Sequence, residues 1–159
     1  MTPRIRPYHS GDSDTLFAIF VDAVRNGTGE YYDNDQRRAW APATTPPSDW
    51  SARLGACDTY VALFEGEIAG FIATTADGYV DLAFVRPALA RRGVGQALYD
   101  AMLARARSRG LTALTTHASH LAKPFFARNG WRVETTELIE RNGATLERFA
   151  MALDLSPLR

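Results

Sequence analysis

The chain has 159 residues, 46% hydrophobic and 23% charged, a size and balance that suit a single domain over 1–159 with a core of its own. Eighteen basic and eighteen acidic side chains cancel, so no global field draws in nucleic acid or an anionic membrane, and any cationic site must be local. No apolar run nears the roughly 20 residues that cross a bilayer, the N-terminus lacks a signal-peptide core, and the lone Cys57 permits no internal disulfide, so a cytoplasmic setting is expected.

Residues 5–7 read as a first strand, and Ser10-Gly-Asp-Ser13 caps a helix over 14–24 with Leu16, Ile19, Phe20 and Ala23 on one face. A second helix covers 35–40. Three prolines at 42, 46 and 47 make a loop, and helix resumes over 48–54. Three strands follow at 59–64, 68–75 and 79–85, joined by turns short enough for antiparallel hairpins. A helix over 94–109 ends at Gly110 and leads into a strand over 111–116, expected parallel to 79–85. Pro124 belongs in the first turn of a helix starting near Ala122. Strands at 131–140 and 145–155 close the chain around Asn142-Gly143, and their free edge offers a surface for a homodimer.

The most informative stretch is Val85-Arg-Pro-Ala-Leu-Ala-Arg91-Arg92-Gly93-Val94-Gly95-Gln96-Ala97-Leu98, where a strand passes through glycines into a helix. The glycines let backbone approach a ligand closely, and the helix start supplies unpaired N–H groups and the positive end of its dipole, an arrangement suited to a diphosphate. A P-loop requires a Lys that does not follow Gly95, and a dinucleotide fingerprint requires glycine at Leu98.

What remains resembles the coenzyme A loop of the GCN5-related N-acetyltransferase (GNAT) superfamily. The segment Ala122-Lys-Pro-Phe125-Phe126-Ala-Arg-Asn-Gly130-Trp131 resembles the second coenzyme-contacting segment of that family. Arg6-Pro-Tyr, Gln36-Arg-Arg-Ala-Trp-Ala-Pro and Pro124-Phe-Phe further resemble its YafP-like branch. The resemblance covers nearly the whole chain and implies an α+β, three-layer fold, a mixed, mostly antiparallel sheet flanked by helices in the order β-α-α-β-β-β-α-β-α-β-β. It implies transfer of an acetyl group from acetyl-CoA to a primary amine of a small molecule or peptide, by direct attack in a ternary complex. It places Ala83, Phe84, Val85, Arg91, Arg92, Gly93, Val94, Gly95, Gln96, Ala97, Ser119 and Phe126 against acetyl-CoA. Ala90 departs from the Gln or Arg that opens the family's loop pattern, which affects one side-chain contact and not the amides.

Transfer also requires the ammonium to lose a proton. Asp81, mid-strand and expected to share a face with Tyr79 and Ala83, is the first choice for the base; Glu30 and water compete. Phe126 stands where the family often has a proton-giving tyrosine, so the acid is unassigned: water, or Ser119 through water, could serve, with Tyr32 and Tyr99 as outer candidates. Glu30, Tyr31, Tyr32 and His117 are the expected acceptor-site residues, while Trp40 and Trp50 read chiefly as packing. His117 and His120 lack a third ligand, so no metal is expected. An acyl-CoA sensor without transfer, and a phosphate-binding interaction module, fit the same loop.

Overall fold

The computed structural model describes residues 2–156; Met1 and residues 157–159, part of the expected domain, lie outside the described residues. The elements in order are β1 (Arg4–Pro7), α1 (Ser13–Gly27), α2 (Asn34–Trp40), α3 (Trp50–Ala56), β2 (Asp58–Phe64), β3 (Glu67–Thr74), β4 (Tyr79–Val85), α4 (Val94–Ser108), β5 (Ala113–Ala118), α5 (Lys123–Arg128), β6 (Arg132–Arg141) and β7 (Ala144–Asp154). The short α3 gives one helix more than the order the resemblance implied.

Local chemistry explains the boundaries. Asp33 accepts from the Gln36 amide at 2.7 Å while Gln36 accepts from the Asp33 amide at 2.9 Å, a reciprocal cap that starts α2. Asn142 and Gly143 both have positive φ, 50° and 86°, as a tight twisted hairpin turn demands. At the end of α4, Leu111 N donates to Ala106 O and Gly110 N to Arg107 O, with Gly110 at φ 73°. This closing motif consumes Leu111, so β5 begins two residues later than expected.

The sheet runs β1-β2-β3-β4-β5-β7-β6, with β6 at its edge. Among the described residues, only the β4–β5 pair is parallel. One face packs on α4 and α5 through Val94, Leu98, Met102 and Phe126, and the other on α1 and α3 through Leu16, Ile19, Trp50 and Leu54. None of the described helices is long and apolar enough to cross a membrane.

Two irregularities in β4 shape the site. β4 and β5 are in register only at Tyr79 with Thr115 and Val80 with Thr116, and then part. The β3–β4 register also slips between Ala73 and Thr74, leaving Asp81 as an extra residue between Val80 and Leu82. Such a bulge re-aims side chains. It corrects the expectation that Tyr79, Asp81 and Ala83 share a face: Asp81 and Leu82 both turn toward α3, and Ala83 is exposed in the opening.

Candidate active site

Beyond the bulge, Arg86 N donates to Ala69 O at 2.8 Å, which sets the phase of the antiparallel ladder. In that phase Leu82 and Phe84 direct their peptide groups to β3, and Ala83 and Val85 direct theirs into the gap between β4 and β5. A cavity of about 260 Å³ occupies this gap. Its walls come from both faces of the sheet: Val80, Ala118 and Phe126 belong to the α4–α5 side, and Phe20, Trp50 and Phe84 to the α1–α3 side. The cavity therefore spans the sheet, with walls on both of its faces.

At the α4 side, Arg91 and Gly93 both have positive φ, 63° and 82°, and Gly93 caps α4 without any side-chain bond. Among the described residues, none of the amides from Arg91 to Gln96 donates to a protein acceptor. A cluster of such donors at a helix start favours an anion. A Cβ on Gly93 meets nothing within 4 Å, so its backbone angle, not space, calls for glycine there.

Opposite, residues just before α2 and α2 itself roof the cavity. Tyr32 is 5% exposed; its hydroxyl donates to Glu147 O and accepts from His120 N, both at 3.0 Å. Gln36 Nε2 donates to Thr145 O, tying α2 to the β6–β7 hairpin. Tyr31 is 42% exposed and stacks on His120 instead of lining the cavity, and Glu30 is exposed outside it. Tyr99 packs in the core with its hydroxyl accepting from Trp131 Nε1 at 2.9 Å and does not line the cavity.

Asp81 does line the cavity, and both its oxygens accept from Arg53 of α3, at 2.8 and 2.9 Å. Tyr79 Oη lies 2.8 Å from His117 Nδ1, and His117 Nε2 faces Glu137 at 3.7 Å. Burial pushes the Tyr79 phenol up, and Asp81 adds to this. Burial also holds the His117 imidazole below its ordinary value; Arg148 acts the same way and Glu137 opposes. Ser119, on the wall, accepts from the Ala122 amide at 3.2 Å, and His120 pairs with Glu147 at 2.7 Å. Cys57 lies outside the cavity with its thiol pushed up by burial. Among the described residues, no group of three His, Cys, Asp or Glu is placed to hold a metal ion.

The GNAT acetyltransferase domain model matches residues 28–153. The chain is also 34% identical over 148 residues to the uncharacterized N-acetyltransferase YafP of Escherichia coli strain K12, covering 93% of each. The chain belongs to the GNAT acetyltransferase family. A GCN5-related N-acetyltransferase from Rhodopseudomonas palustris, also described as a class-II aminotransferase, is 33% identical with a TM-score of 0.92, covering 98% of this chain and 97% of that one. The putative acetyltransferase YncA of Salmonella typhimurium, solved with acetyl-CoA, shares the fold at 18% identity and a TM-score of 0.68, covering 100% and 97%.

Within this GNAT fold, Ala83, Phe84, Ser119, Phe126, Asp81, Tyr32 and His117 meet in one cavity, and residues 91–97 lie outside it at the start of α4. Arg53 and Arg148 also line it and were not anticipated from the sequence, and so do Trp40, expected chiefly as packing, and Tyr79, expected only as a neighbour of Asp81. The short turn before Tyr79 and the expected parallel pairing with β5 were the signals from which a Tyr79–His117 contact could have been found; nothing local marked Arg53.

Proposed function

We propose that the protein transfers the acetyl group of acetyl-CoA to the primary amine of a small molecule or peptide, by direct attack within a ternary complex. The cavity that crosses the sheet carries this reading, because it lets a thioester and an amine meet from opposite faces without either leaving. The unpartnered amides from Arg91 to Gln96, with Arg91 and Arg92 beside them, suit the diphosphate of coenzyme A. The thioester supplies an activated acetyl carbon. Amides of Ala83 and Val85 turned into the gap are donors for its carbonyl oxygen as negative charge develops there. Asp81 and Glu147 draw an ammonium to the roofed side, where Tyr32, Trp40 and Phe84 contact its carbon body. Ser119 holds a water that returns a proton to the departing sulfur, a task Phe126 cannot perform. The setting we propose is the cytoplasm.

A thiol-release screen with polyamines, aminoglycosides, amino acids, aryl amines and peptides tests this. Release with at least one amine class, dependent on acetyl-CoA, supports transfer. Tight acetyl-CoA binding with no release across the panel supports the acyl-CoA sensor instead, the reading that Phe126 favours.

A further inference from the structure

The titratable side chains lining the cavity are not equally free to take a proton. Tyr32 uses its hydroxyl both ways, donating to Glu147 O and accepting from His120 N. Glu147 is paired with His120 at 2.7 Å. Both oxygens of Asp81 already accept hydrogen bonds from Arg53. The arginines at 53, 141 and 148 are donors only and offer no acceptor for a proton. Tyr79 and His117 are left. They stand on adjacent parallel strands, at the point where β4 and β5 part, with Tyr79 Oη and His117 Nδ1 2.8 Å apart.

We infer that the Tyr79 hydroxyl and the His117 imidazole take the amine's proton in series, with His117 the final acceptor. The inference rests on the acetyl-transfer reading above and adds the group that makes the amine nucleophilic. In the neutral pair the phenol donates to Nδ1, leaving Nε2–H toward Glu137. The ammonium gives a proton to Tyr79 Oη as Tyr79 passes its own to His117 Nδ1. A neutral amine and an imidazolium result. The amine nitrogen then bonds to the thioester carbon, the C–S bond breaks with its electron pair on sulfur, and the second nitrogen proton goes to that sulfur. His117, with its side chain 30% exposed, returns its proton to solvent.

The groups around the pair act on it in opposite senses. His117 is faced by Tyr79 of β4, Glu137 of β6 and Arg148 of β7; Tyr79 is faced by Asp81, Arg53, Arg141 and Arg148. Burial and Arg148 favour the neutral imidazole, the form that accepts, while weakening it as a base, and Glu137 offsets them; burial keeps the phenol protonated, hence able to relay. Arg148 is held by Glu137 at 2.9 Å, so Glu137 is shared between the guanidinium and the imidazolium that forms.

The test is the pH dependence of thiol release from about pH 5 to 9, the span across which an imidazole titrates. Wild-type kcat is expected to rise along an acid limb set by an imidazole. His117→Asn keeps a hydrogen-bonding group for Tyr79 but has no titrating nitrogen; it should flatten that limb and lower kcat about 100-fold, with KM for acetyl-CoA unchanged. Tyr79→Phe should lower kcat similarly, and the double variant should be no worse than His117→Asn, as for two members of one chain. An unchanged acid limb in both single variants, or additive losses in the double variant, overturns the relay while transfer stands. A wild-type protein that releases no thiol with any amine overturns the transfer reading, and the relay with it.

Discussion

Arg53 of α3 grips Asp81 of the β4 bulge through two hydrogen bonds, from Nε at 2.8 Å and from Nη2 at 2.9 Å. The pair joins a seven-residue helix to the strand where the sheet opens, and it fixes the carboxylate at the cavity wall. Asp81→Asn is expected to raise KM for the amine about 10-fold while leaving the acid limb of kcat intact, because it removes the charge that receives the ammonium but not the proton acceptor. Arg53→Met should change stability by less than about 1 kcal/mol, since both side chains keep contact with water. Steady-state thiol release and thermal melts measure the two effects.

The two loop glycines are predicted to differ. Gly93 sits at φ 82°, so Gly93→Val places a β-branched residue in a disfavoured region at a cost of about 1–3 kcal/mol and turns the neighbouring amides away. Acetyl-CoA affinity should fall at least about 10-fold by calorimetry. Gly95 is helical, and a Cβ there meets only ordinary contacts at 3.9 Å with Phe125 and Val85. Gly95→Ala should retain binding and melt slightly higher.

Tyr99→Phe separates packing from chemistry. It strips the buried Trp131 indole N–H of its acceptor, which costs about 1–3 kcal/mol. The melting temperature should fall by several degrees, and kcat should not change, because Tyr99 does not line the cavity.

Acid should unfold the protein through two carboxylates. Asp12 accepts from Arg6 at 2.8 and 3.0 Å and from the His9 amide, and Asp58 accepts from Arg109 at 2.6 Å. The hydrogen bond from Arg6, in the first case, and from Arg109, in the second, holds each carboxyl below the usual carboxylate range. Their folded pKa values are lower than the unfolded ones, so the stability they add is complete above the unfolded value, about 4, and drains as pH falls through the folded values. The melting temperature should be flat near neutrality and drop below about pH 4. Asp58→Asn should lower it at neutral pH and make the acid decline shallower.

Much of the frame is legible in the chain itself, for local reasons. Gly93 and Gly110 demand positive φ, Asn142-Gly143 demands a tight turn, and Pro124 fits only a first turn, so these boundaries follow from backbone sterics. The amide cradle is legible because it depends on backbone and not on partner residues. The cavity is not, because its walls converge from α1, α2, α3, α5 and four strands. The bulge at Asp81 is set by the slip against β3, and period-two reasoning assumes no slip; hence Arg53, 28 residues upstream, could not be matched to Asp81. Tyr31 and Tyr32, adjacent and chemically alike, diverge because Tyr32 is buried and its hydroxyl finds two backbone partners, Glu147 O and His120 N.

The most direct measurement is the amide NMR spectrum of nitrogen-labelled protein titrated with coenzyme A. The backbone amides of Arg91 to Gln96 should move together, farther than any other contiguous group, as they gain the diphosphate as acceptor. Coenzyme A that binds while these six amides stay in place, with the shifts gathered elsewhere, contradicts this expectation.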